Sequence, residues 1–349
     1  MPGNKTLVFK KIPVGYPVAG EHLAVEDRDF DKDAPAPQGG ITTEVLSASF
    51  DPYLRGKMRK AGTESYSAAF DIDSPIVNAT VSRVLKSESS DFKADDLVLV
   101  YGPLAEYQVF PDPKASGVRK IHNPHNLDAD LFLGPLGMPG LTAWAGLYKI
   151  GKPKKGETIF ISSAAGAVGQ VVGQIAKHEG LKVIGSVGTD EKLDFILKDL
   201  GFDGGFNYKT EKPADALKRL APNGIDIYFE NVGGEHLEAA LEVMNKDGRI
   251  PVCGMISDYN TPPAERYGIK NMFQLIAKTL EVVGFLVGKE GYGPAYYQEH
   301  QEQMQKWIAQ GDFKPKLHIT QGIDKAAEGL VGIFKGENFG KAVLKVKDI

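Results

Sequence analysis

The chain has 349 residues, long for one hydrophobic core, so two domains with a cleft between them are expected. Charged residues make up 25% and the formal net charge is only -4, which argues against a nucleic-acid or membrane-surface binder and favours small-molecule chemistry. A single cysteine, Cys253, excludes an internal disulfide and a Cys-rich zinc site.

The opening "MPGNKTLVFKKIPVGYPVAG" lacks the apolar core of a secretory signal, and no later run reaches the roughly 20 apolar residues that span a bilayer. A cytoplasmic protein without membrane contact is the expectation. Through about residue 125 the short apolar stretches "GGITTEVLSASF", "PIVNATVSRVLKS" and "DLVLVYGPLAEYQVF" are separated by turn residues, which predicts an all-β region. From about Gly134 strands alternate with helical segments, from "ETIFISS" to "RIPVCGM", a βαβ succession that implies a parallel sheet covered by helices. The segment "AYYQEHQEQMQKWIAQGDF" predicts an amphipathic helix. "FGKAVLKVKD" predicts a closing strand that returns to the β-rich region. The loops "RKAGTESYSAAF" and "GKEGYGPA" are candidate lids.

The chemistry begins at "SSAAGAVGQ". Ile159–Ile161 supply a buried strand, Ser162 to Ala165 a turn of small residues, and Val168 onward a helix with Val171, Val172, Ile175 and Ala176 inward. A glycine-spaced strand-to-helix junction offers a pyrophosphate backbone N–H groups and the positive end of the helix dipole. Ala164 stands at the first glycine position of G-x-G-x-x-G, leaving Gly166 and Gly169, so the surrounding βαβαβ succession carries the assignment. Gly173 is expected to permit tight helix-to-strand packing.

An NAD enzyme presents an acid to the ribose about 20 residues downstream. Asp190 and Glu191 lie near that distance, but they follow Gly188 and open the next helix, whose dipole favours acids. Lys192 in the same turn suits the 2′-phosphate of NADP; a solvated helix lysine is the plain alternative. Cys253 within "RIPVCGMI" reads as a buried strand residue. His122 and His125 fall in a loop and His178 and His236 on helices, with no ligand cluster for a catalytic zinc.

Together "DPYLRGKM", "GPLGMPGLTAW", "SSAAGAVGQVVGQIAK", "GTDEK", "GFNYK", "YFENVGG", "CGMISDYN" and "GENFGKAVLKV" resemble the zinc-independent medium-chain dehydrogenase/reductases, in the branch of prostaglandin/leukotriene reductases and plant alkenal double-bond reductases. The resemblance implies an α/β fold: a Rossmann doubly wound parallel sheet over residues 131–299 plus a GroES-like β-rich domain over 1–130 and 300–349. It implies NADPH as reductant, a homodimer, and reduction of the carbon–carbon double bond of a small α,β-unsaturated ketone or aldehyde.

The same likeness assigns Lys192 and Tyr208 to the 2′-phosphate, and Asn231 and Asn338 to the cofactor, with Thr142 near the nicotinamide. It extends the cofactor set to Ala165, Gly166, Ala167, Val168, Gly169, Gly188, Cys253, Phe285 and Val287. Tyr259 and Tyr53 face the substrate as candidate catalytic residues, Tyr259 being the first choice for hydrogen-bond donor or proton delivery because a phenol donates without charge at neutral pH. No metal is expected. A metal-free NADPH quinone reductase and a non-catalytic NADP-binding sensor remain open alternatives.

Overall fold

The computed structural model describes residues 3–348. The chain forms two compact units, one running up to Leu133 and resuming at Leu317–Asn338 and from Ala342, the other Gly134–Lys316 with Phe339–Lys341.

The first unit is built around the strand Ile41–Ser49, all nine residues of which are buried. One edge pairs with Val77–Ser87. The other is shared by Tyr107–Phe110, along Ile41–Glu44, and by Lys341–Lys345, along Ser47–Ser49. Pairing on both edges satisfies its backbone, which lets the strand lie in the interior. A smaller antiparallel sheet orders Leu23–Asp29, Gly3–Phe9 and Ser74–Pro75. Phe9, Phe50, Leu54, Met58, Leu330 and Phe334 pack in its core, the last two from the helix Ala326–Phe334. Leu54 anchors the one-turn helix Leu54–Lys57, which has Tyr53 at its N-terminus.

The second unit holds six parallel strands in the order Gly204–Asn207, Lys182–Val187, Thr158–Ile161, Ile225–Phe229, Met244–Val252, Glu281–Gly284. In chain order this is 3-2-1-4-5-6, the doubly wound arrangement, whose order reverses between the first and fourth strands and opens a crevice at their carboxyl ends. Phe160, Phe206, Tyr228 and His236 stack across the sheet, with Phe160 and Tyr228 at 4.9 Å and 11°. Burial pushes His236 down to about 4, so its imidazole packs as a neutral ring.

Two expectations change. A division at 299/300 cuts through the helix Gly293–Gln310, which belongs whole to the second unit. Its inward residues meet the helix Met138–Ala145: His300 and Trp307 lie 5.9 and 5.7 Å from Trp144, and the His300 imidazole bonds the Pro135 carbonyl at 2.9 Å. Gly173 does make room, but for the Phe202 ring rather than for a strand: a Cβ there would lie 2.0 Å from Phe202 Cζ. Among the described residues no helix is long and apolar enough to cross a membrane.

Candidate active site

The first strand delivers Ser162 at full burial to the crevice, and the fourth delivers Glu230, also fully buried. Ser162 Oγ donates to Glu230 Oε1 at 3.2 Å and accepts from the Asn231 N–H at 2.9 Å. Asn231 Nδ2 donates to the Ser162 carbonyl at 2.8 Å. Glu230 Oε1 also accepts the Tyr228 hydroxyl at 2.7 Å and the N–H groups of Val232 and Gly233 at 2.6 and 2.8 Å. The loops after the two strands are thus tied together, and Asn231 is fixed in orientation. Burial raises the Glu230 carboxyl above its ordinary value, against the hydrogen bonds that lower it. Its Oε2 and the nearby-strand Ser186 Oγ are buried without a protein partner.

The turn that follows is held from several sides. Ser163 takes a φ of 53°, the Ala164 N–H donates to the Ser186 carbonyl at 2.9 Å, and the Gly340 N–H donates to the Ala165 carbonyl at 3.1 Å. The helix Gly169–His178 then begins at Val168 with no side chain capping it. The N–H groups of Gln170, Val171 and Val172 already bond the Gly166 and Val168 carbonyls, so what this helix start offers a phosphate is chiefly the positive end of its dipole. At Gly169 a Cβ would lie 2.3 Å from the Ser163 carbonyl oxygen and 2.8 Å from Ala164 Cα, so only glycine lets the helix start this close to the turn. Gln170 and Gln174 grip residues 314–316 through their backbone: Gln170 bonds both the N–H and the carbonyl of Lys316, at 2.9 and 3.0 Å.

At the end of the second strand Thr189 caps the next helix by accepting the Lys192 N–H at 3.3 Å, and Asp190 accepts Asn207 Nδ2 at 2.8 Å. Asp190 thereby serves the helix start and its neighbour strand, as its position after Gly188 implied. A Cβ on Gly188 would sit 3.1 Å from the Tyr208 hydroxyl, which puts that phenol against the strand end; the Tyr208 ring meets His236 edge-on at 5.3 Å. Lys192 is lowered in pKa by burial first and then by the Lys209 ammonium, so two cations lie together here. Lys209, two residues beyond Asn207, was missed in the sequence; the signal was its adjacency to Tyr208.

Beyond the fifth strand lies Cys253, which is past the end of Met244–Val252 and partly exposed rather than a buried strand residue. Its N–H donates to the Glu230 carbonyl at 2.9 Å, and burial of the thiol, with the Glu230 charge, pushes it up to about 12. It is not an activated nucleophile. Tyr259 follows the short helix Ile256–Asp258, and its hydroxyl reaches back over Gly254, where a Cβ would be 2.9 Å away. The phenol therefore stands at the carboxyl end of the fifth strand, beside the Asn231 loop.

The remaining residues scatter more. Thr142 is buried on Met138–Ala145 and gives its hydroxyl proton to the Met138 carbonyl at 2.7 Å. Phe285 packs over Gly146 and stacks on Tyr292 at 5.6 Å; the Val287 carbonyl accepts the Gly293 N–H at 2.8 Å. Asn338 and Tyr53 belong to the first unit. The Tyr53 hydroxyl donates to Asn78 Oδ1, and its pKa is pushed far above the ordinary value by burial, then by the Asp51 charge and the phenols of Tyr101 and Tyr66. Among the described residues no group of three or more His, Cys, Asp or Glu side chains could hold a metal ion. The donor set does not fit a resident zinc.

The family described as "N-terminal domain of oxidoreductase" matches residues 5–120, and that described as "Zinc-binding dehydrogenase" matches 167–309. An NADP-dependent oxidoreductase of Cochliobolus heterostrophus is 50% identical over 99% of this chain and 98% of its own. An NADP(+)-dependent 2-alkenal reductase of Nicotiana tabacum is 40% identical over 98% of this chain and 97% of its own. The crystal structure of CurA in complex with NADPH from Vibrio vulnificus superposes with a TM-score of 0.89 at 34% identity, over 99% of this chain and all of that one. With half its residues shared along a full-length relative, the chain belongs to the zinc-independent medium-chain dehydrogenase/reductases, in the branch of prostaglandin/leukotriene reductases and plant alkenal double-bond reductases.

Proposed function

We propose that this protein is an NADPH-dependent reductase of the carbon–carbon double bond in α,β-unsaturated ketones or aldehydes. The observation that carries the reading is the position of the Tyr259 hydroxyl over Gly254, at the same carboxyl edge as the uncapped helix start at Gly169. When bound, NADPH supplies a hydride, which goes to the β-carbon of the substrate. Val168, Gly169 and the turn before them would hold the pyrophosphate, while Lys192 and Tyr208, with Lys209 beside them, would hold the 2′-phosphate. Asn231, fixed by Ser162, would contact the cofactor from the fourth-strand loop.

As the substrate's double bond is reduced, negative charge moves onto its carbonyl oxygen, and a proton must reach the α-carbon to complete the saturated carbonyl. Tyr259 donates a hydrogen bond to that oxygen. A neutral donor already in place is worth most where the charge develops only in the transition state. Relatives named as an NADP-dependent 2-alkenal reductase and as CurA bound to NADPH support the cofactor and the reaction class.

Tyr259→Phe is expected to lower kcat about 100-fold while moving KM for NADPH less than about twofold, because the lost donor acts on the transition state. Steady-state kinetics with an enone and saturating NADPH checks this, and an unchanged kcat returns Tyr259 to the pocket wall. The protein acts as a homodimer in the cytoplasm on this reading; among the described residues no further strand pairs with the outer strand Glu281–Gly284, on which Val282 is exposed.

A further inference from the structure

Glu230 follows the strand Ile225–Phe229 and is fully buried. Its Oε1 is met by four donors: the hydroxyls of Ser162 and Tyr228 and the N–H groups of Val232 and Gly233. The Ser162 proton can point there because Ser162 Oγ serves the Asn231 N–H as acceptor. Gly233 also precedes the helix Gly234–Val243, so the positive end of that helix dipole lies beside the same carboxyl. Oε2 has no hydrogen-bond partner among the described residues, and so no acceptor for an acid proton. The surroundings offer the hydrogen bonds that a carboxylate needs and none that a carboxylic acid could give.

The topology says which half of a dinucleotide this charge lies under. Lys192 follows the second strand, the glycine turn follows the first, and the strand order is 3-2-1-4-5-6. With the 2′-phosphate at the second strand and the pyrophosphate at the first, the nicotinamide half falls to the fourth-strand side of the crevice, where Glu230 lies. Only that half changes charge in the reaction: the ring is neutral in NADPH and cationic in NADP+. A fixed negative charge beneath it tells the two apart, and burial keeps salt and water from screening it away.

We propose that Glu230, besides positioning the Asn231 loop, acts as a buried carboxylate that favours the cationic, oxidised nicotinamide over the neutral, reduced one. The inference rests on the cofactor placement proposed above, and it makes a prediction that a merely structural Glu230 does not. Holding the loop affects both coenzymes alike, whereas the charge changes their ratio. The same field favours departure of the hydride, because positive charge develops on the ring as the hydride leaves it.

The test is calorimetric titration of NADP+ and of NADPH, at about pH 8, into wild type, Glu230→Gln and Lys192→Ala. Glutamine keeps the volume and the accepting oxygen and removes the charge. Glu230→Gln is expected to weaken NADP+ about fivefold more than NADPH. Lys192→Ala is expected to weaken both by the same factor, since both carry the 2′-phosphate. An unchanged ratio of the two Kd values in a folded Glu230→Gln overturns the proposal. Should that variant not fold, the wild-type ratio between about pH 8 and about pH 5.5 decides. Burial holds the Glu230 carboxyl above its ordinary value, so it gains a proton and loses its charge toward the acid end, and the preference for NADP+ must fall. Of the titratable groups on the elements around it, Tyr228 is pushed up, Cys253 is pushed up to about 12 and His236 is pushed down to about 4, so these keep their charge across that range. The 2′-phosphate titrates alike in both coenzymes and cancels in the ratio. A ratio flat with pH overturns the proposal. Enone turnover assayed in parallel separates the two readings. Turnover with an unshifted ratio in Glu230→Gln sinks only the role of Glu230, and a shifted ratio without turnover sinks only the double-bond reading.

Discussion

Arg249→Met is expected to destabilise the protein by about 3–5 kcal/mol, the cost of leaving one partner of a buried ion pair uncompensated. Arg249 is only 9% exposed and points out of the fifth strand at a cluster of acceptors. Its guanidinium grips both carboxylate oxygens of Glu157, at 2.9 and 2.6 Å, and donates to the carbonyls of Gly151 and Lys152 at 2.8 and 3.0 Å. The planar fork ties the loop before the first strand to the fifth strand, a geometry lysine cannot reproduce. Methionine fills the stem's volume and leaves Glu157 and two carbonyls without their donor. The pair Lys152–Glu281, with side chains 55% and 48% exposed, is the contrast. Lys152→Ala is expected to cost less than about 1 kcal/mol, as exposed pairs do. Denaturant midpoints of the two variants against wild type check the ranking, and equal shifts would contradict the account of Arg249.

Gly169→Ala is expected to weaken NADPH binding about 100-fold, equivalent to about 2.8 kcal/mol. The added methyl meets backbone on three sides, the Ser163 carbonyl oxygen, Ala164 Cα and the Ser163 carbonyl carbon, at 2.3, 2.8 and 3.0 Å. None of these atoms can rotate aside as the end of a side chain could, so the turn that cradles the pyrophosphate has to move. Fluorescence titration with NADPH measures the loss, alongside circular dichroism to confirm the fold. Lys192→Ala differs in kind: it is expected to raise KM for NADPH about 10-fold or more and to spare NADH, because a charge-assisted bond to the 2′-phosphate is lost. An equal effect on both coenzymes would reject the 2′-phosphate assignment.

The parts of the architecture written in local pattern were legible. Alternating apolar residues marked the strands of the first unit, and the strand–turn–helix around Gly166 and Gly169 marked the cofactor crevice, because each depends on neighbours a few residues apart. Contacts that close over long separations were not. Ser162 reads as a small turn residue until Glu230 and Asn231, 68 and 69 positions away, are seen to bond its hydroxyl. Glu230 is a carboxylate at the end of an apolar strand, which hints at burial but names no partner. Gln170 and Gln174 look like polar positions on an inward helix until they are found gripping residues 314–316. The helix Gly293–Gln310 has a clear amphipathic pattern, yet periodicity does not say which body its apolar face covers, and the division drawn at residue 300 went through it. Asn78, within "PIVNATV", shows only a polar residue in a strand; its bonds with Tyr53, Asp51 and Ser49 close over 25, 27 and 29 positions.

The central claim is the bond that is reduced, and product identification tests it most directly. The protein is incubated with NADPH deuterated at the transferred position and a conjugated enone, and the product is analysed by mass spectrometry and NMR. A saturated ketone carrying the deuterium at its former β-carbon is the result expected. An allylic alcohol, with the deuterium on the carbonyl carbon and the double bond intact, would contradict the account.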